Sequence, residues 1–173
     1  MTRRFLPFLA VALVFGLAGA WFGSKRFAAQ PAQPEASASF YSRTLPDAGG
    51  NNVAMAKWKG QALVLNFWAT WCAPCVEEMP ELTALQKEIA PRNIQILGIG
   101  IDNPASIGAF AEKYQIAYPL YVAGVDGSEL SRQLGNQAGG LPFTVLLDAS
   151  GKVRKTYLGR LKMDELRRDL NAL

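Results

Sequence analysis

The sequence contains no histidine and only two cysteines, Cys72 and Cys75. The first absence removes whole classes of chemistry. Without an imidazole there is no histidine base, no Ser-His-Asp or Cys-His nucleophile, and no zinc or copper site built on histidine ligands. Excess charge of one sign is also missing once the N-terminus is set aside. Of the 18 basic residues, Arg3, Arg4, Lys25 and Arg26 flank an N-terminal apolar run, and of the 14 acidic ones only Glu35 precedes Ser37. From Ser37 onward 14 basic residues face 13 acidic ones, a balance of +1. So near-neutral a domain offers no electrostatic footprint for nucleic acid, and that partner is excluded. At 173 residues, half of them hydrophobic, the chain is long enough for one domain with its own core and needs no disulfide for stability. The cysteine pair therefore calls for a chemical explanation before a structural one.

Three segments are legible in what is present. Phe5 to Gly23 carries no charge and is bracketed by Arg3-Arg4 and Lys25-Arg26. At about 1.5 Å per residue it reaches across the roughly 30 Å hydrocarbon core, with Trp21 and Phe22 placed for the far interface. Residues 1–23 read as a signal anchor. The rival is a cleaved signal peptide, because Ala18-Gly19-Ala20 has the A-x-A form of a cleavage site. Either way the rest of the chain is expected outside the cytoplasm. Residues 24–39, rich in Ala, Gln, Pro and Ser with no apolar period, read as a flexible linker. A folded domain is expected over 40–173.

Within that domain strands and helices alternate. "ALVLNFW" and "IQILGIGI" are continuous apolar runs of the kind found in buried central strands. Between them Val76, Met79, Leu82, Leu85 and Ile89 recur at helical spacing from Cys75 onward. Asp102-Asn103-Pro104 caps a helix running to about Tyr114. A short strand at Tyr118–Val122 and a short helix from Ser128 follow. "LPFTVLLD" and "KVRKTYLG" form a hairpin across Ala149-Ser150-Gly151, and Met163, Leu166 and Leu170 mark a closing helix. The alternation predicts an α/β domain, a mixed sheet with helices on both faces.

A strand ending in Trp68-Ala69-Thr70-Trp71 sets Cys72 at the mouth of the next helix, near unpaired N–H groups and the positive end of the helix dipole. Both favour thiolate over thiol. Cys75 lies one turn further in, able to reach Cys72 but shielded from solvent. That asymmetry suits dithiol–disulfide exchange, with Cys72 attacking and Cys75 resolving. Pro74 sits in the first turn, where its missing N–H costs nothing. A purely structural disulfide closing so small a loop would stabilise little. Two thiolates with no histidine fall short of a four-ligand metal site. Neither a metal nor a cofactor is expected.

"NFWATWCAPCVEEMP" resembles the thioredoxin superfamily, and within it the TlpA/ResA-like membrane-tethered thiol–disulfide oxidoreductases. "LPDAGGNNVAMAKWKGQALVLNFW" resembles that group's N-terminal hairpin and first central strand, and "GGLPFTVLLDASGKV" its later strand pair. The resemblance covers about residues 40–173. It implies a thioredoxin-like fold with an N-terminal β-hairpin extension, preceded by one transmembrane helix. It also implies that Cys72 and Cys75 are a redox-active disulfide, and that Pro142 is a cis-proline beside it. Trp71 and Pro74 are then expected to line the substrate surface, and the Leu141 backbone to pair with an extended client peptide. Trp68 is expected in the core. Where thioredoxins carry a buried aspartate this chain has Asn66, an amide that accepts no proton. Glu78, three residues after Cys75, is then either the substitute proton acceptor or an ordinary solvated side chain, as Glu77 is expected to be.

The implied partners are disulfides and thiols of client proteins, of cytochrome c or copper-site maturation type, and a membrane-embedded electron donor. An oxidase that inserts disulfides is the alternative; Ala73-Pro74 between the cysteines carries no positive charge to stabilise a thiolate, which favours reduction. A peroxidase is disfavoured because Ala69 and Leu65 stand where peroxiredoxins need Thr and Pro. A metallochaperone is disfavoured by the missing histidine.

Overall fold

A computed structural model describes residues 34–173, with side-chain burial from Ser37. The expected membrane helix at 1–23 lies outside the described residues; among those described, no helix is long and apolar enough to cross a membrane. The elements run α1 (Pro34–Tyr41), β1 (Thr44–Pro46), β2 (Asn52–Ala54), β3 (Ala62–Trp68), α2 (Ala73–Ile89), β4 (Ile94–Gly100), α3 (Pro104–Tyr114), β5 (Leu120–Val122), α4 (Asp126–Gln133), β6 (Phe143–Leu147), β7 (Val153–Leu158) and α5 (Met163–Asn171). Five strands form one sheet in the order β5-β4-β3-β6-β7, and β1 pairs β2 in a separate hairpin. β3 runs parallel to β4, and β4 to β5, while β6 and β7 are antiparallel additions. This is the mixed sheet of a thioredoxin-like fold.

β3 is central because it can afford no wet face: all seven of its residues are buried. Alternate side chains feed two cores. Leu63, Leu65 and Phe67 join Phe40, Met55 and Val145 on one face. Val64 and Trp68 join Met79, Leu82 and Leu166 on the other, under α2, α3 and α5. Asn66 points to this second face, fully buried between apolar neighbours. β7, at the sheet's edge, alternates half-buried and exposed residues and carries Arg154 and Lys155, which discourages edge pairing.

α1 departs from the expected linker, which ran to residue 39. Ser37, Phe40 and Tyr41 stand at i, i+3 and i+4 and are all buried, so a one-sided apolar stripe holds the helix against the sheet. The surrounding Ala and Ser conceal that stripe in the composition. The β1–β2 hairpin is present as expected. The Asp47 carboxylate holds its turn through the N–H groups of Gly49 and Asn51, and Ala48 N–H donates to Leu120 O on the β5 edge. α4 starts at Asp126, one half-turn before the expected Ser128.

Gly98 lies on the β4 face beneath Trp68 and Tyr118. A Cβ there would collide with Leu120 Cδ2 and stand 3.2 Å from Trp68 Nε1 and 3.3 Å from Tyr118 Cε2. Gly98→Ala is therefore expected to lower stability by about 1–3 kcal/mol through overpacking. A urea midpoint equal to that of wild type would show that these side chains yield freely.

Candidate active site

Parallel pairing of β3 and β4 requires a crossover, and α2 supplies it. The helix therefore starts where β3 ends. Cys72 is its N-cap residue and Pro74 lies in its first turn. No side chain caps the helix at Cys72, so the first-turn N–H groups face the sulfur's end of the helix. Cys72 and Cys75 are joined as a disulfide. Cys72 keeps 6% of its surface exposed and Cys75 none. The loop before Cys72 is held by Asp102 at the end of β4, whose carboxylate accepts from both the N–H and the hydroxyl of Thr70.

The Leu141–Pro142 bond is cis, the isomer that the resemblance implies. Trp71, Cys72, Pro74 and Leu141 line one cleft of about 440 Å³, together with Ile101 and Asn136. Trp71 is 70% exposed whereas Trp68 is fully buried, so the two tryptophans divide as expected into surface and core. Asn136, which sequence reading missed, donates from Nδ2 to Gly140 O at 3.0 Å and so fixes the backbone leading into Leu141. An isolated asparagine in a loop carries no pattern that could have signalled this.

Glu78 is the group on which the sequence left two readings open. It is fully buried, so the solvated-face reading does not hold, while Glu77 is exposed and pairs with Arg160 at 2.9 Å. Glu78 Oε1 accepts from Asn66 Nδ2 at 2.7 Å, and Oε2 from the Leu161 N–H at 2.9 Å. Asn66 Nδ2 also donates to Thr144 Oγ1 at 3.0 Å. The three side chains thus link α2, β3 and β6. Burial is the largest influence on Glu78 and outweighs the opposing hydrogen bonds from Leu161 and Asn66 and the attraction of Arg160, so its carboxyl is held above the usual carboxylate range. Burial, then the Glu78 charge, also pushes the Tyr118 phenol up. One helical turn separates Glu78 from Cys75, which brings their Cβ atoms to about 5–6 Å. Among the described residues no cluster suited to a metal ion occurs.

A buried carboxylate one turn from a half-sealed cysteine pair, on a strand-to-helix turn whose cleft is also lined by Leu141 of a cis-prolyl bond, defines a thioredoxin-like thiol–disulfide oxidoreductase. Residues 28–172 match the Redoxin family model, and the chain belongs to that family, among its TlpA/ResA-like members. It is 30% identical over 132 residues to the thiol-disulfide oxidoreductase ResA of Geobacillus kaustophilus, covering 75% of this chain and 72% of that protein. The ResA of Geobacillus thermodenitrificans is 29% identical over 130 residues, with 75% and 72% covered. The crystal structure of a thiol:disulfide interchange protein of the thioredoxin family from Chlorobium tepidum superposes with a TM-score of 0.65 at 29% identity, covering 76% of this chain and 92% of that one.

A raised pKa also leaves a mark on stability. Between the unfolded and the folded values the native state keeps a proton that the unfolded chain has released, so stability falls as pH rises through that window. Glu78→Gln removes this contribution. Urea unfolding of the oxidised protein is expected to show a shallower loss of stability with rising pH in the variant than in wild type. Parallel curves would mean that Glu78 is not held protonated above the ordinary carboxylate range.

Proposed function

We propose that the protein is a tethered extracytoplasmic reductase of client-protein disulfides, using Cys72 as nucleophile, Cys75 as resolving thiol and Glu78 as proton acceptor. The observation that carries this reading is the asymmetry of the pair: Cys72 opens to the cleft, whereas Cys75 is closed off from solvent with a buried carboxylate one turn behind it.

In the reduced protein the Cys72 thiolate attacks one sulfur of a client disulfide. That S–S bond breaks, one client sulfur leaves as thiolate, and Cys72 is held in a mixed disulfide. The Cys75 proton passes to the Glu78 carboxylate, the Cys75 thiolate attacks Cys72 Sγ, and the second client sulfur leaves. Two electrons have moved to the client, and the Cys72–Cys75 disulfide remains. A membrane-embedded donor returns it to the dithiol. Trp71 and Pro74 line the cleft beside Cys72 together with Leu141, whose backbone, set by the cis bond to Pro142, pairs with an extended client peptide.

The resemblance implies clients of cytochrome c or copper-site maturation type. It also implies a location on the periplasmic side of a bacterial inner membrane, with residues 1–23 as anchor and the linker as tether, or a soluble periplasmic form after cleavage. The oxidase reading is the competitor, and the reduction potential separates the two. Reference values run from about −270 mV for thioredoxin to about −120 mV for a strong periplasmic oxidant. Equilibrated against thiol buffers, the full-length protein is expected near the lower value; a potential near the higher one would make it a disulfide donor. Cys75→Ser is expected to accumulate a mixed disulfide with client protein through Cys72, visible as a reducible adduct. Adducts lost only on replacing the other cysteine would reverse the two roles.

A further inference from the structure

The segment Gly159–Leu161, between β7 and α5, touches both halves of the site. At one end the Gly159 N–H donates to Pro142 O at 2.8 Å, with Gly159 in the left-handed region at φ 83° that its missing side chain permits. At the other end the Leu161 N–H donates to Glu78 Oε2 at 2.9 Å. Between them Arg160 reaches over α2 and forks, Nη1 to Glu77 at 2.9 Å and Nη2 to Glu81 at 3.1 Å. Three consecutive residues thus join the cis-proline loop, the surface of α2 and the buried carboxylate.

We propose that Gly159–Leu161 is a strap coupling the Pro142 loop to Glu78, and that Arg160 is the positioning residue that keeps it seated. The inference rests on the reading of Glu78 as proton acceptor and adds what controls it. Each Arg160 pair is half exposed, and as a stabilising contact is worth little. Its geometric effect is larger, because Glu77 and Glu81 are one turn apart on α2 with Glu78 between them in sequence. With its guanidinium held on both, Arg160 ties the backbone that carries the Leu161 N–H to the surface of α2.

The surroundings of Glu78 leave Arg160 as the adjustable element. β3 and β6 contribute the uncharged Asn66 and Thr144, and the segment before β5 contributes the neutral phenol of Tyr118. On its own helix Glu81 opposes ionisation of Glu78, and among the described residues Arg160 is the cation whose attraction favours it. Loss of Arg160 removes that attraction and loosens a hydrogen bond to the charged form. Both changes make Glu78 hold its proton to higher pH, and a protonated Glu78 cannot take the proton from Cys75.

A chromogenic aromatic disulfide separates the steps in the full-length reduced protein. The first thiolate released marks attack by Cys72, and the second marks resolution by Cys75. In Arg160→Ala the acidic limb of the second phase is expected to move alkaline by roughly half a unit to one unit. Arg160→Lys should recover part of the shift, and Arg160→Ala should add none in a Glu78→Gln background. Should Arg160→Ala fail to fold, Arg160→Gln keeps a donor without the charge and carries the same expected sign. A limb that vanishes in Glu78→Gln but stays put in the Arg160 variants overturns the strap and leaves Glu78 in its role. A wild-type limb retained in Glu78→Gln overturns both.

Discussion

An enclosed carboxylate must be met by hydrogen bonds or give up its charge, and in this protein the demand falls on Glu78. It is met by Asn66 from β3 and by the Leu161 backbone from the far end of the chain. Asn66 can serve because Thr144 of β6, its register partner, holds the same amide. Three segments remote in sequence thus close on one side chain. The arrangement constrains the architecture in turn. α2 has to lie across β3 at a fixed rotation, and the chain leaving β7 has to return over α2 before α5 begins.

The same rotation places the cysteines. α2 presents Cys75, Glu78, Met79 and Leu82 on its buried face, so the turn that seals Cys75 also seals Glu78. Cys72, as the residue before the helix, escapes that face and stays at the cleft. A difference of three positions therefore separates a sulfur at the cleft from one enclosed beside Cys72, one turn from the Glu78 carboxylate. The parallel β3–β4 pair adds the second requirement, since it brings the ends of both strands to the side where α2 begins. Asp102, at the end of β4, can then hold Thr70 and with it the loop that carries Trp71 and Cys72.

Much of this was legible because it is local. The strand-to-helix turn, the buried strands and the asymmetry of Cys72 and Cys75 follow from periodicity and spacing over a few residues. The resemblance supplied the hairpin and pointed to Pro142. What stayed hidden is non-local. Whether Glu78 was wet or buried depended on what covers α2, and no spacing within "CVEEMP" reveals that Leu161 does. Arg160 reads in sequence as a loop cation after a hairpin, yet its partners lie about eighty positions earlier. α1 was missed for another reason: its three-residue stripe is too short to stand out from an Ala- and Ser-rich stretch.

The absence of histidine bears on the same side chain. Thiol exchange near neutral pH needs a group that takes and returns a proton in that range, and imidazole is the side chain that does so unperturbed. With none in the chain, a carboxyl can serve only if its surroundings raise its pKa toward the working pH, and burial is the influence that raises it most strongly for Glu78. Full charge compensation would defeat the purpose, because a cation in direct contact would return the carboxyl to its ordinary range. The hydrogen-bonding groups on Glu78 are accordingly neutral, an amide and a backbone N–H, and the nearby guanidinium is engaged by Glu77 and Glu81. Neutral donors satisfy the oxygens while leaving the cost of burying the charge largely in place, and that residual cost is what the proposed role of Glu78 as a base requires.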